Sequence, residues 1–311
     1  MRRKKADDVN GWLIIDKPRG MGSTQVVGKT RWLMHANKNG HTGTLDPFAT
    51  GVLPIAFGEA TKLVPFVTDG EKEYEFVLKW GEQTSTDDVE GEVIATSSKI
   101  PTHDEIIAAL PQFIGQITQV PPMYSAIKIN GNPAYKLARK GQNVEIPSRQ
   151  IEIYDLRLLQ ENTDSARFKV RCSKGTYVRT LGKDIALKLG TVGHLTELRR
   201  TKCGNFSLSD TILLDSLEKI EYVDNRRKSL LPIETSLRDI AEIAVSAEDA
   251  TRLKMGQSLS PKAYSSVSGN GLALAKSANC LVALVQISER KISPIRVFNL
   301  NNQKENKDVD Q

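Results

Sequence analysis

The spacing of apolar residues changes period several times along this chain. Trp12 to Ile15, Val52 to Phe57 and Tyr74 to Trp80 are short apolar or alternating runs that predict strands. Val26, Val27, Thr30 and Leu33 fall on one side of a helix from Ser23 to Met34, and a helical segment is predicted from Glu59 to Val67. Thr102 and Glu105 form a capping box ahead of Ile106, Ile107, Leu110 and Phe113, which share one helical face. Ile151 to Leu159 and Arg167 to Cys172 predict further strands. Tyr177 to Thr180 lead into a helix from Leu181 to Leu189, closed by Gly190. Strands and helices that do not alternate strictly indicate an α+β fold with helices packed on a sheet.

A second unit is expected after Leu231-Pro232-Ile233. Its pattern is a strand from Ile240, a Ser246-capped helix ending at Gly256, and short strands over 271–276, 280–287 and 294–300. The boundaries so read are a basic tail at 1–9, a main domain at 10–236, a small domain at 237–300 and a disordered polar tail at 301–311. With 311 residues and 39% hydrophobic content the chain can bury an ordinary core. It has no apolar run of membrane-spanning length and no apolar stretch behind the charged N-terminus, so a soluble cytoplasmic protein is expected. Cys172, Cys203 and Cys280 are far apart, with no paired spacing, and predict neither a disulfide framework nor a zinc site.

The net charge of +6 is unevenly distributed. Between Arg171 and Lys202 eight basic residues face two acidic ones, so this stretch holds a charge equal to that of the whole chain. That concentration favours a polyanionic partner. Glu82, Asp87, Asp88, Glu90 and Glu92 lie together without a basic residue and are expected to form a solvated surface turn facing away from such a partner.

The densest chemical signal is Gly40-His41-Thr42-Gly43-Thr44-Leu45-Asp46-Pro47-Phe48-Ala49-Thr50-Gly51. Its glycines allow backbone angles and close approaches that other residues resist, and Pro47 pushes Asp46 into an extended conformation. A carboxylate held rigidly in a loop suits a nucleophile or general base. This run resembles the nucleophile loop of the TruB family of tRNA pseudouridine synthases, G-H-x-G-x-L-D-P-x-A-x-G, at every fixed position. Further segments agree in the same order, among them Gly11-Trp12-Leu13-Ile14-Ile15-Asp16-Lys17-Pro18, Gly58-Glu59-Ala60-Thr61-Lys62, Pro122-Met123-Tyr124-Ser125-Ala126 and Lys174-Gly175-Thr176-Tyr177-Val178-Arg179.

The resemblance implies a mixed, mainly antiparallel sheet crossed by a catalytic cleft, with a small β-rich PUA-like domain at the C-terminus. It implies isomerisation of the tRNA T-loop uridine 55, with no cofactor or metal and no obligate protein partner, by a protein expected to be a monomer. Asp46 is implied as nucleophile, attacking either C1′ of the ribose or C6 of the base. Tyr74 would stack on the flipped base and is a candidate for moving its C5 proton, Tyr177 would line the pocket, and Arg179 would pair with Asp46. His41 would enter the RNA loop, and Leu198 would line the uracil site. Lys174, Arg199 and Arg200 are expected to contact phosphates, and a short basic helix from Ala134 to Lys140 is placed to approach RNA. Lys17 is expected to support the floor of the site. A guide-RNA-dependent synthase of the H/ACA type and a non-catalytic tRNA chaperone stand as alternatives.

Overall fold

The computed structural model describes residues 6–125, 127–129, 131–134, 145–261, 264 and 270–300. Residues 1–5, the tail at 301–311 and the helix expected over Ala134 to Lys140, apart from Ala134, lie outside the described residues.

Among the described residues, ten strands form one sheet. Its path runs through Ile212–Leu213, Gly11–Lys17, Thr50–Phe57, Gly193–Cys203, Lys72–Trp80, Ser165–Cys172, Arg149–Glu161 and Gly115–Gln119, with Asn39–His41 and Phe206–Ser207 paired to its side. The pairings are antiparallel except Gly11–Lys17 with Ile212–Leu213 and Thr50–Phe57 with Gly193–Cys203. The sheet is therefore mixed and mainly antiparallel, in an α+β fold.

Because successive side chains on a strand point to opposite faces, strands covered on both sides read as continuous apolar runs. Leu13 and Ile15 join a core with Val26 and Leu33 of the helix Ser23–Leu33, and with Leu181 and Ile185 of the helix Val178–Lys188. Trp12, Ile14, Val52 and Ala56 point the other way and pack with Leu274, Leu281, Leu284 and Phe298. Those last residues belong to the small unit, a four-stranded sheet of Ala241–Ala244, Gly271–Ser277, Cys280–Ile287 and Ile292–Val297. Its helix Ala247–Lys254 is capped by Ser246, whose Oγ accepts from the Asp249 amide at 3.0 Å. The small sheet is thus docked on the back of the large one. Glu59 accepts from the Asn299 amide at 2.7 Å, and Lys62 donates to the Val297 carbonyl at 2.8 Å. Among the described residues no helix is long and apolar enough to cross a membrane.

The strand Gly193–Cys203 was not evident in the sequence. Bulges at Leu195/Glu197 and Arg200/Lys202 break its alternation, so Leu195, Leu198, Arg200 and Cys203 are buried at irregular intervals. Its parallel pairing with Thr50 and Gly51 brings Gly51, at φ +99°, so near that an added Cβ would lie 2.2 Å from the Arg200 carbonyl oxygen. Gly51→Ala is expected to destabilise the fold by more than about 2 kcal/mol, through left-handed strain combined with steric overlap. Denaturant unfolding of the variant beside the wild type measures it.

Candidate active site

The Asp46 loop is fastened from several sides. Ser23 Oγ accepts from the Leu45 amide at 2.8 Å and donates to the Leu45 carbonyl at 3.0 Å. The Thr42 amide donates to the Pro54 carbonyl, and the Gly20 amide donates to the Pro47 carbonyl at 2.7 Å. Lys17, fully buried, donates to the carbonyls of Pro18, Met21 and Pro47, so the lysine secures the floor as expected. Burial pulls its pKa down to about 8, against the opposing charges of Asp46 and Glu90.

Arg179 sits on the first turn of the helix Val178–Lys188 and reaches this loop. Nε donates to Asp46 Oδ2 at 2.9 Å and Nη2 to Oδ1 at 3.3 Å, the fork geometry that matches a carboxylate. Nη1 donates to the Thr86 carbonyl and Nη2 to the Tyr124 carbonyl, both at 2.8 Å. Asp88 Oδ2 lies 3.4 Å from Nη1. The guanidinium is buried, yet Asp46 keeps 33% of its side-chain surface open, so a ligand can reach the carboxylate. Burial and the neighbouring charge of Asp88 raise the Asp46 pKa above its ordinary value, opposed by Arg179.

Asp87 and Asp88 depart from the expectation of a solvated acidic turn, whereas Glu90 and Glu92 are exposed. Asp87 and Asp88 are buried, Asp87 pairs with Lys183 at 3.1 Å, and Asp88 accepts from Thr86 Oγ1 and the Glu90 amide. Arg179 and Lys183 thus tie this part of the loop to the helix behind the site. Sequence reading missed Asp88 because its cationic partners lie some ninety residues away along the chain.

A cavity of about 250 Å³ opens over Asp46, lined by Tyr74, Tyr177, Leu198, Lys174 and Arg179 among others. Its polar groups converge on an otherwise apolar hollow, as binding sites commonly do. The cross-strand pairs Tyr74 with Arg200 and Phe76 with Leu198 set Tyr74 and Leu198 in the walls. Burial pushes the Tyr74 phenol up to about 12, against the Arg200 guanidinium beside it. Tyr177 is fixed at its backbone by Gln119, which accepts from the amide at 2.8 Å and donates to the carbonyl at 3.1 Å. His41 stands outside the cavity lining, with Nδ1 accepting from the Gly43 amide at 3.2 Å. Burial and nearby Arg200 lower its pKa, so the ring is neutral near pH 7.

The basic stretch differs from the sequence expectation. Arg200 is 1% exposed and donates to the carbonyls of Val52 and Gly43, a buried placement unlike the open phosphate contact expected of it, and it braces Tyr74 and the loop. Arg199 pairs with Asp16 at 2.6 Å and Lys174 with Asp69 at 2.8 Å, both with open surface left. Among the described residues no group of three His, Cys, Asp or Glu side chains is placed to hold a metal ion. The Asp46 carboxyl should titrate above the ordinary aspartate value of about 3.9, and Asp88→Asn should move it downward by removing a like charge. Carbon-13 NMR of the labelled carboxylate in both proteins reads the two values.

Residues 31–178 match the model of the TruB family pseudouridylate synthase N-terminal domain, and residues 179–238 that of the tRNA pseudouridylate synthase B C-terminal domain. The chain is 46% identical over 307 residues to a tRNA pseudouridine synthase B of Caulobacter vibrioides, covering 96% of this chain and 99% of that one. It is 48% identical over 304 residues to a tRNA pseudouridine synthase B of Bradyrhizobium diazoefficiens, covering 96% and 88%. Among solved structures, a Cbf5-Nop10-Gar1 complex matches at a TM-score of 0.67 and 25% identity, over 94% of this chain and 84% of that one. An H/ACA ribonucleoprotein bound to substrate RNA shares the fold at a TM-score of 0.69 and 22% identity, over 97% and 93%. On the family models and these relatives together, the chain belongs to the TruB family of pseudouridine synthases.

Proposed function

We infer that this chain isomerises uridine 55 in the T-loop of tRNA, with Asp46 as the nucleophile. The observation that carries the reading is the partly open Asp46 carboxylate, held by Arg179 at the floor of a cavity walled by Tyr74, Tyr177 and Leu198. The reaction breaks the N1–C1′ bond, turns the base, joins C5 to C1′ and moves the C5 proton to solvent while N1 gains one. Attack at C1′ and attack at C6 both begin from ionised Asp46, which Arg179 orients. Asp88 acts as a positioning residue through Arg179.

The target base is stacked in a folded loop, so it must be extruded before the glycosidic bond can be reached. The cavity suits one flipped nucleotide, with Tyr74 against the base and Leu198 beside it. Tyr74 is a neutral phenol at working pH, because its pKa is pushed up to about 12; accepting the C5 proton requires its own proton to leave first, which the adjacent Arg200 charge assists. His41, neutral and on the strand ahead of the loop, fits the role of entering the RNA near the vacated position. Lys174 and Arg199 have the open surface that phosphate contacts need, and the small C-terminal sheet fits a PUA-like RNA-binding role. The protein works as a monomer, without a guide RNA or partner protein.

The test is tritium release from C5-labelled uridine in bare tRNA transcript with purified protein. Release from position 55 alone is expected; activity only with added guide RNA and partner proteins would favour the H/ACA reading. Asp46→Asn should lower turnover by at least roughly a thousandfold while the Kd for tRNA stays within about threefold. Turnover within tenfold of wild type would remove Asp46 as nucleophile.

A further inference from the structure

The cations around the cavity fall into two sets. Lys72 and Arg200 are buried and spend their donors on backbone carbonyls, while Arg179 and Lys174 already hold carboxylates. Arg149, at the start of the strand Arg149–Glu161, is different. Its guanidinium carbon lies 5.4 Å from the centre of the Tyr177 ring, and its one hydrogen bond among the described residues is a long one, Nη1 to the Gly175 carbonyl at 3.5 Å. Among the described residues it has no carboxylate partner, whereas Arg157 farther along the same strand and Arg167 and Arg171 on the neighbouring strand each have one.

The local fold aims this side chain at the cavity rim. Arg149 is the register partner of Gln119, the residue that grips both backbone groups of Tyr177. One strand pair therefore fixes the tyrosine from below and supplies the cation on its ring. Gly175, at φ +82°, leaves room: an added Cβ would stand 3.1 Å from Arg149 Nη1. Stacking on an aromatic face holds a guanidinium in a plane and leaves its edge donors free to point outward. A planar edge with several uncommitted N–H groups matches the oxygens of a phosphodiester.

We propose that Arg149 binds a backbone phosphate flanking the target uridine, holding the strand at the cavity mouth while the base enters. The proposal rests on the isomerase reading above and adds the contact that fixes the nucleotide's phosphate. Arg149 is also a better candidate than Lys174, which has to leave Asp69 before taking a new anion.

Three stem-loop RNAs test it: one unmodified, one with a neutral methylphosphonate 5′ to the target uridine, and one with it 3′. Wild-type turnover on the unmodified RNA, read as tritium release, checks the isomerase reading independently of Arg149. For wild type, one of the two modified RNAs should bind roughly tenfold more weakly, the effect of losing a charge-assisted hydrogen bond. Arg149→Ala should bind all three RNAs with the same weakened affinity, and its loss on the unmodified RNA should fall on KM rather than kcat. Its log Kd against log salt slope should be lower by roughly 0.7. Arg149→Lys should recover part of the affinity and the salt slope. If Arg149→Ala still loses tenfold on the same methylphosphonate RNA as wild type, or if its defect lies in kcat with an unchanged salt slope, Arg149 merely braces Tyr177 and the phosphate assignment fails. A thermal melt of each variant confirms that the comparison is between folded proteins.

Discussion

The buried guanidinium of Arg179 is the constraint around which the site is arranged. A guanidinium has five N–H donors in a fixed plane, and removing it from water is costly unless they are satisfied. Here the acceptors are Asp46, the carbonyls of Thr86 and Tyr124, and Asp88, drawn from three loops that share no sequence neighbourhood. One cation thereby fixes the Asp46 loop, the acidic loop and the 122–125 turn with respect to one another. Removing Arg179 would leave the Asp46 and Asp88 carboxylates as neighbours without the cation that both now contact. That repulsion would raise the Asp46 pKa further and reduce the share of ionised carboxylate at the site.

How much of this was legible in the sequence depends on how local the cause was. The Thr102 capping box, the Ser246 cap and the helix after Tyr177 are set by neighbouring residues, and the structure contains each. The Asp46 motif was equally visible, and the structure brings Asp46, Tyr74, Tyr177, Arg179 and Leu198 to one cavity. Failures came where tertiary pairing overrides local pattern. The central strand Gly193–Cys203 carries two arginines and two bulges, so its period is not two, and the sequence reads as a basic surface. Arg200 looked like a phosphate contact for the same reason. Asp87 and Asp88 looked solvated because Lys183 and Arg179, which bury them, are distant in sequence.

The Gly58-Glu59-Ala60-Thr61-Lys62 segment shows a motif whose consequence is mechanical. Glu59 and Lys62 pair at 2.6 Å, and each also binds backbone near the end of the small sheet. Trp12 Nε1 donates to the Ile233 carbonyl on the same side. Together with the apolar contacts of Leu274, Leu281, Leu284 and Phe298, these fix the small sheet against the face opposite the helices. A surface on the small sheet is then held at a set distance from Asp46.

Charge pairing within the protein bears on how strongly RNA can be held. Lys174 with Asp69, Arg171 with Glu71 and Lys169 with Glu73 are exposed or half-exposed pairs, each of small net value in water. When phosphate approaches, such a cation exchanges one anion for another, and the carboxylate left behind remains near the polyanion. The gain per contact is consequently smaller than for a cation without a carboxylate. The overall excess of positive charge thus steers encounter over distance more than it sets affinity. Stronger holding of a polyanion falls to cations with uncommitted donors and to the apolar and aromatic walls of the cavity.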